Sequence, residues 1–174
     1  MRVEELKNLI IGYGNVDRQD DGVAWHILHE LCKTLKYPCP SSFEEPFDIP
    51  GESLKIIFSL QLVPEVAEEV ARFDRICFVD AHTGAIEEDL SFKKISPEFQ
   101  GSPFTHHMTP QMCMKLAHQL YNAHAQAWLL SVRGYQFGFG NELSSRTQNL
   151  ADKAVSHLTL WLTDLVSQQE SSQF

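Results

Sequence analysis

The residues of this sequence best suited to chemistry are an acidic pair, Asp20-Asp21, a single aspartate, Asp80, that ends an apolar run, and two adjacent histidines, His106-His107. Two carboxylates and an imidazole supply the oxygen and nitrogen donors that suit divalent nickel, zinc, cobalt or iron. Three protein ligands leave coordination positions open, which belongs to a catalytic or exchanging site and not to a structural one. The competing reading is that the aspartates cap a helix and the histidines decorate a surface loop. Spacing alone leaves both open.

Other motifs carry less. Gly12-Tyr13-Gly14 matches the start of a dinucleotide-binding fingerprint, but Asp17 stands where its third glycine belongs, and acid in that turn repels a pyrophosphate. No serine sits in GxSxG and no HExxH occurs, which disfavours serine hydrolases and thermolysin-like proteases. His26, His29, His118, His124 and His157 lie in helical patterns or near their ends and read as solvated or capping residues. The cluster Met108, Met112, Met114 reads as adaptable packing. Cys32, Cys39, Cys77 and Cys113 show no CxxC spacing and read as reduced, mostly structural thiols.

The elements that must position these residues follow from the apolar pattern. Leu9-Ile10-Ile11 reads as a strand that breaks into Gly12-Tyr13-Gly14-Asn15, where glycines permit a sharp turn and Asn15 tolerates a left-handed backbone. Beyond Asp20-Asp21-Gly22, apolar residues at Val23, Ile27, Leu31 and Leu35 recur four apart, as on one face of a helix. Strands are predicted at 54–60, at 76–79 just before Asp80, at 127–132 and, as a polar edge, at 91–95, with another short edge strand possible between 38 and 51. Pro64 starts a helix through Phe73. Thr109 and Pro110 start one that buries Met112, Leu116 and Leu120. Ser144 caps a last helix whose stripe runs through Ala151, Ala154, Val155, Leu158, Leu162 and Leu165. Tyr135 to Asn141 reads as a flexible aromatic loop.

Strands alternating with helices predict an α/β fold, a three-layer sandwich with a twisted, mostly parallel sheet of about five strands and helices on both faces. In such sheets ligands bind at the carboxyl ends of the strands, where Asp21 and Asp80 fall. The 174 residues fit a single domain over 1–174, with an expected disordered tail after about 166. With 43% hydrophobic and 21% charged residues the chain reads as an ordinary globular protein. The net charge of −9, with no basic cluster, opposes nucleic acid as a partner. No apolar run approaches the roughly 20 residues of a membrane span. Met1-Arg2-Val3-Glu4-Glu5 does not open a signal peptide, so the expected location is cytoplasmic.

Taken together, the blocks Leu9 to Asn15, Asp20-Asp21-Gly22-Val23, Phe78-Val79-Asp80-Ala81, Thr105-His106-His107-Met108-Thr109-Pro110 and Gly138-Phe139-Gly140-Asn141-Glu142-Leu143-Ser144 resemble the hydrogenase maturation protease family. The resemblance covers about Leu9 to Val166. It implies an endopeptidase that removes a C-terminal extension from the large-subunit precursor of nickel-iron hydrogenase once nickel is in place. It also implies that nickel is presented by the precursor, and that Asp21, Asp80 and His106 contact the metal, with His107 as a substitute for His106. Ala24, where glycine is common, and Ser59-Leu60-Gln61-Leu62, which replaces a glycine-containing segment, depart from the family's pattern. The alternative on the same fold is a noncatalytic metal- or precursor-binding assembly factor.

Overall fold

The computed structural model describes residues 5–97 and 107–171, with side chains of the last helix through 163. Its centre is a strand too apolar to face water: in β1 (Asn8–Tyr13), Leu9, Ile10 and Ile11 are fully buried. β1 pairs in parallel with β3 (Leu54–Ser59) on one side and β4 (Arg75–His82) on the other, and β4 pairs in parallel with β6 (Gln126–Arg133). The edges are antiparallel, β2 (Asp48–Ile49) against β3 and β5 (Leu90–Ile95) against β6. The sheet therefore has six strands in the order β2-β3-β1-β4-β6-β5. The additional strand is the short β2, which the Pro-rich stretch before Gly51 marks only faintly. The polar β5 is an edge strand, as its lysines lead one to expect.

Helices cover both faces. One core joins α1 (Val23–Thr34) and α4 (Ser145–Ser171) to the face carrying Ile10, Cys77, Val79 and Leu130. The other joins α2 (Val66–Val70) and α3 (Pro110–Tyr121) to Leu9, Ile11, Ile76, Phe78 and Ala127. Side chains alternate along each strand, so odd residues of β1 and even residues of β4 face α2 and α3. The chain leaves β1 toward β3 and later returns to β4 on the opposite side of β1. That reversal of strand order makes the carboxyl ends of β1 and β4 the place where open α/β sheets bind ligands.

Several local expectations change. In α3, Thr109 caps the helix, its Oγ1 accepting the Met112 N–H at 3.2 Å, and Pro110 holds the first position. The buried stripe, however, is Pro110, Cys113, Met114 and Ala117, and Leu120 is 62% exposed. Small Cys113 and Ala117 let the helix approach the sheet, which rotates the longer Leu120 outward. The left-handed residue of the first turn is Gln19, with φ 49°, and not Asn15, whose Oδ1 instead accepts the Asp17 N–H at 2.9 Å. The last helix continues past Val166 to Ser171, in a stretch with no glycine or proline to stop it. All four cysteines are free, and Cys32, Cys77 and Cys113 are buried. No described helix is long and apolar enough to cross a membrane.

Candidate active site

Asp80 lies at the carboxyl end of β4, on the α2/α3 face. Its two oxygens are held from either side: the Tyr13 hydroxyl at the end of β1 donates to Oδ2 at 2.8 Å, and the Ser131 hydroxyl donates to Oδ1 at 2.6 Å. Ser131 is the register partner of Asp80 across β4 and β6. Tyr13 follows Leu9 and Ile11 on the same face of β1. Three parallel strands thus deliver these groups at one level of the sheet. Burial pushes the Asp80 carboxyl above its ordinary value, and the charge of Asp21 pushes it the same way. The hydrogen bonds from Ser131 and Tyr13 oppose that rise. Burial, followed by the charge of Asp80, holds the Tyr13 phenol well above its ordinary value, so the hydroxyl keeps its proton and goes on donating. Each carboxylate oxygen of Asp80, having accepted one such bond, retains a lone pair for a metal or a water.

Asp20 and Asp21 share a 3-10 turn, Gln19–Gly22, between β1 and α1, and face different ways. Asp21 is partly exposed, accepts the Asn15 N–H on Oδ2 at 3.0 Å, and lies close enough to Asp80 for its charge to act there. Asp20 is 0% exposed. Its Oδ2 accepts the backbone N–H of Tyr135 (2.8 Å) and Gln136 (2.9 Å) and the hydroxyls of Ser144 (2.7 Å) and Thr147 (2.9 Å), and its Oδ1 accepts the Ser144 N–H (2.7 Å). Burial alone would raise its pKa, but the bonds from Tyr135, Ser144 and Gln136 outweigh it and the carboxyl is held below its ordinary value. Neither aspartate is a helix cap; the residue at the mouth of α1 is Gly22, with no capping side chain. The two acids therefore divide into a buried tie, Asp20, and a site-facing group, Asp21.

Asp20 also accounts for the aromatic loop. Tyr135 to Ser144 is bound to the first turn through that carboxylate, through Gly138 N–H to Gln19 Oε1 (2.8 Å), and through Gln19 N–H to the Gly140 carbonyl (2.8 Å). It carries Phe139, 99% exposed, on a dense hydrogen-bonded base, where the sequence led us to expect flexibility. Gly14 closes the same turn. With φ at +145°, a Cβ there would stand 2.1 Å from the Asp21 carbonyl oxygen, so only glycine fits.

His106 lies outside the described residues. His107 is exposed, while Met108 and Thr109, which follow it, pack on the α2/α3 core and cap α3, so this stretch enters on the face that carries Asp80. Among the described residues no three His, Cys, Asp or Glu side chains converge as a metal site. What converges is two acids, Asp21 and Asp80. Cys113, whose charged form would act on Tyr13, has its thiol pushed up to about 12 by burial, which argues against a thiolate nucleophile. His26 and His29 bond through Nε2 to the carbonyls of Asn141 (2.9 Å) and Pro40 (3.0 Å) and contact Trp25. They are structural, not solvated. Tyr13 and Ser131 were not foreseen as site residues. The available signals were the odd-residue alternation of β1 and the one hydroxyl in the apolar run 127–132.

No model of a known protein family matches this sequence, and no curated protein sequence does. Solved structures do. The hydrogenase maturating endopeptidase HybD from E. coli superimposes with a TM-score of 0.63 at 15% identity, over 91% of this chain and 93% of that one. The [NiFe] hydrogenase maturation protease HybD from Thermococcus kodakarensis gives 0.60 at 16% identity, over 90% and 99%. The [NiFe] hydrogenase maturation protease HycI from Thermococcus kodakarensis KOD1 gives 0.59 at 18% identity, over 95% of each. This chain has the fold of the hydrogenase maturation endopeptidases.

Proposed function

We propose that this protein is a processing endopeptidase that removes the C-terminal extension of a nickel-iron hydrogenase large-subunit precursor after nickel has been inserted. The observation that carries the reading is the half-buried Asp80, gripped by Tyr13 and Ser131 and faced by Asp21, at the carboxyl edge of a fold shared with hydrogenase maturation endopeptidases. A catalytic reading accounts for a carboxylate, Asp80, whose cost of ionisation is raised by burial and by the charge of Asp21, because an incoming cation relieves that cost.

The cation is nickel carried by the precursor, and so part of the substrate. Asp21 and Asp80 supply two oxygen donors to it, and His106 supplies the imidazole, with His107 as its substitute. Nickel polarises the neighbouring groups of the precursor when bound. The chain's own contribution is to recognise the loaded state and to orient the segment to be cut. Tyr13 and Ser131 fix the direction of the Asp80 oxygens, and the tied turn around Asp20 fixes Asp21. The precursor is made and processed in the cytoplasm on this reading.

Incubation of the nickel-loaded large-subunit precursor with the protein, followed by intact mass measurement, tests the proposal. Release of a C-terminal peptide is the expected outcome. Stable association with no loss of mass would identify a noncatalytic assembly factor instead.

A further inference from the structure

The alternation that puts Asp80 on the α2/α3 face of β4 puts His82, two residues on, on the same face and nearer the carboxyl end of the strand. His82 is 8% exposed. Its Nδ1 accepts the Gly84 backbone N–H at 3.1 Å, and because a backbone nitrogen only donates, Nδ1 bears no proton. The neutral ring then carries its proton on Nε2. That Nε2 is buried and has no hydrogen-bond partner among the described residues. Charge on the ring would act on Asp80, so the two side chains are near neighbours. Arg133, the cross-strand register partner of His82, likewise has a buried Nε without a partner among the described residues, although its Nη1 donates to Asp89 at 3.2 Å.

Unpartnered buried donors are costly and uncommon in native proteins, and cross-strand neighbours that both hold one point to an acceptor that arrives from outside. A metal does not fit His82 in this tautomer, since Nδ1 is committed to Gly84 and Nε2 has a proton where a ligand needs a lone pair. An oxygen acceptor does fit. We propose that His82 donates its Nε2–H to a peptide carbonyl oxygen of the precursor beside the bond that is cut, with Arg133 adding positive charge next to it. This assignment rests on the endopeptidase reading and gives it a residue that it does not otherwise use. Hydrolysis adds water across the C–N bond, leaving a carboxylate on the shortened subunit and an amine on the released peptide. His82 keeps its proton throughout, and its hydrogen bond strengthens as the carbonyl oxygen gains charge.

Two substitutions test it. Asn places its side-chain oxygen where Nδ1 stands, which retains the Gly84 bond and leaves nothing at Nε2, whereas the Gln amide nitrogen reaches the Nε2 position. With the nickel-loaded precursor as substrate, His82→Asn should lower kcat about 100-fold, as loss of one such donor does elsewhere, with little change in KM. His82→Gln should recover to within about tenfold of the unmodified protein. Because the native donor has no partner in the free protein, the thermal midpoint of His82→Asn should equal or exceed that of the unmodified chain. Undiminished kcat in His82→Asn overturns the assignment alone. So does equal loss in both variants accompanied by a lowered midpoint, which would mark a structural role. Absence of cleavage by the unmodified chain overturns the endopeptidase reading, and the assignment with it.

Discussion

Asp20→Asn should destabilise the protein severely, although it replaces one atom. The Asp20 carboxylate accepts bonds from Tyr135 N–H, Gln136 N–H, Ser144 N–H and the Ser144 and Thr147 hydroxyls, in a position closed to water. Asn in the better of its two orientations keeps an oxygen where Oδ2 stands, but sets its own donor against the Ser144 N–H. That leaves two facing donors, the Ser144 N–H and the new amide, without an acceptor, at about 1–3 kcal/mol each, and weakens the remaining charge-assisted bonds. Such terms are not additive within one network, so a net loss of about 3–5 kcal/mol is the reasonable expectation. In a domain of this size that is on the order of 10 °C in Tm. The sign of the pH dependence follows from the depressed carboxyl. Asp20 contributes stability above its unfolded pKa of about 3.9, and the contribution disappears as pH falls through the lower folded value. Calorimetric scans at pH 7 should separate the two proteins by that margin, and the gap should close in acid below about pH 4. A variant that melts within about 2 °C of the unmodified protein at pH 7 would refute the reasoning.

Asp21→Asn should behave oppositely: the amide oxygen still accepts the Asn15 N–H, so the midpoint should move by no more than about 3 °C while cleavage of the nickel-loaded precursor is lost. Tyr13→Phe removes a hydrogen bond that favours charged Asp80, so the acid limb of the cleavage pH profile should move to higher pH and stability should fall by about 1.5–3 kcal/mol, both read on the same preparation. Gly14→Ala adds a Cβ against the Asp21 carbonyl oxygen at a positive φ, and should cost about 1–3 kcal/mol in backbone strain alone and impair cleavage by displacing Asp21, as denaturant unfolding and a cleavage assay would show.

The legible parts of the sequence were those in which one segment declares itself. The run Ile76-Cys77-Phe78-Val79 is buried on both faces and therefore uniformly apolar, which placed Asp80 at a strand end without any knowledge of its neighbours. Lys93 and Lys94 marked β5 as an edge. What stayed hidden depends on partners distant in sequence. Asp20 and Asp21 are indistinguishable as letters, and what separates them is a set of donors more than a hundred residues away, around Tyr135, Ser144 and Thr147. Tyr13 and Ser131 gain meaning only once β4 lies between β1 and β6. Nothing in the sequence around His82 sets it apart from the other histidines. Its burial and its unpartnered nitrogen emerge only with the chain around it. The face of α3 is ambiguous in the sequence because Met112, Leu116 and Leu120 have helical spacing too, and size decides which stripe lies against the sheet.

The central claim is that this chain reads nickel in a hydrogenase precursor through Asp80 and its neighbours and then cuts. The most direct measurement is the intact mass of the large-subunit precursor, nickel-loaded and nickel-free, after incubation with the unmodified protein or with Asp80→Asn. Loss of one C-terminal peptide should occur only with nickel-loaded precursor and unmodified protein. Cleavage of both precursor forms alike, or full cleavage by Asp80→Asn, would contradict the account.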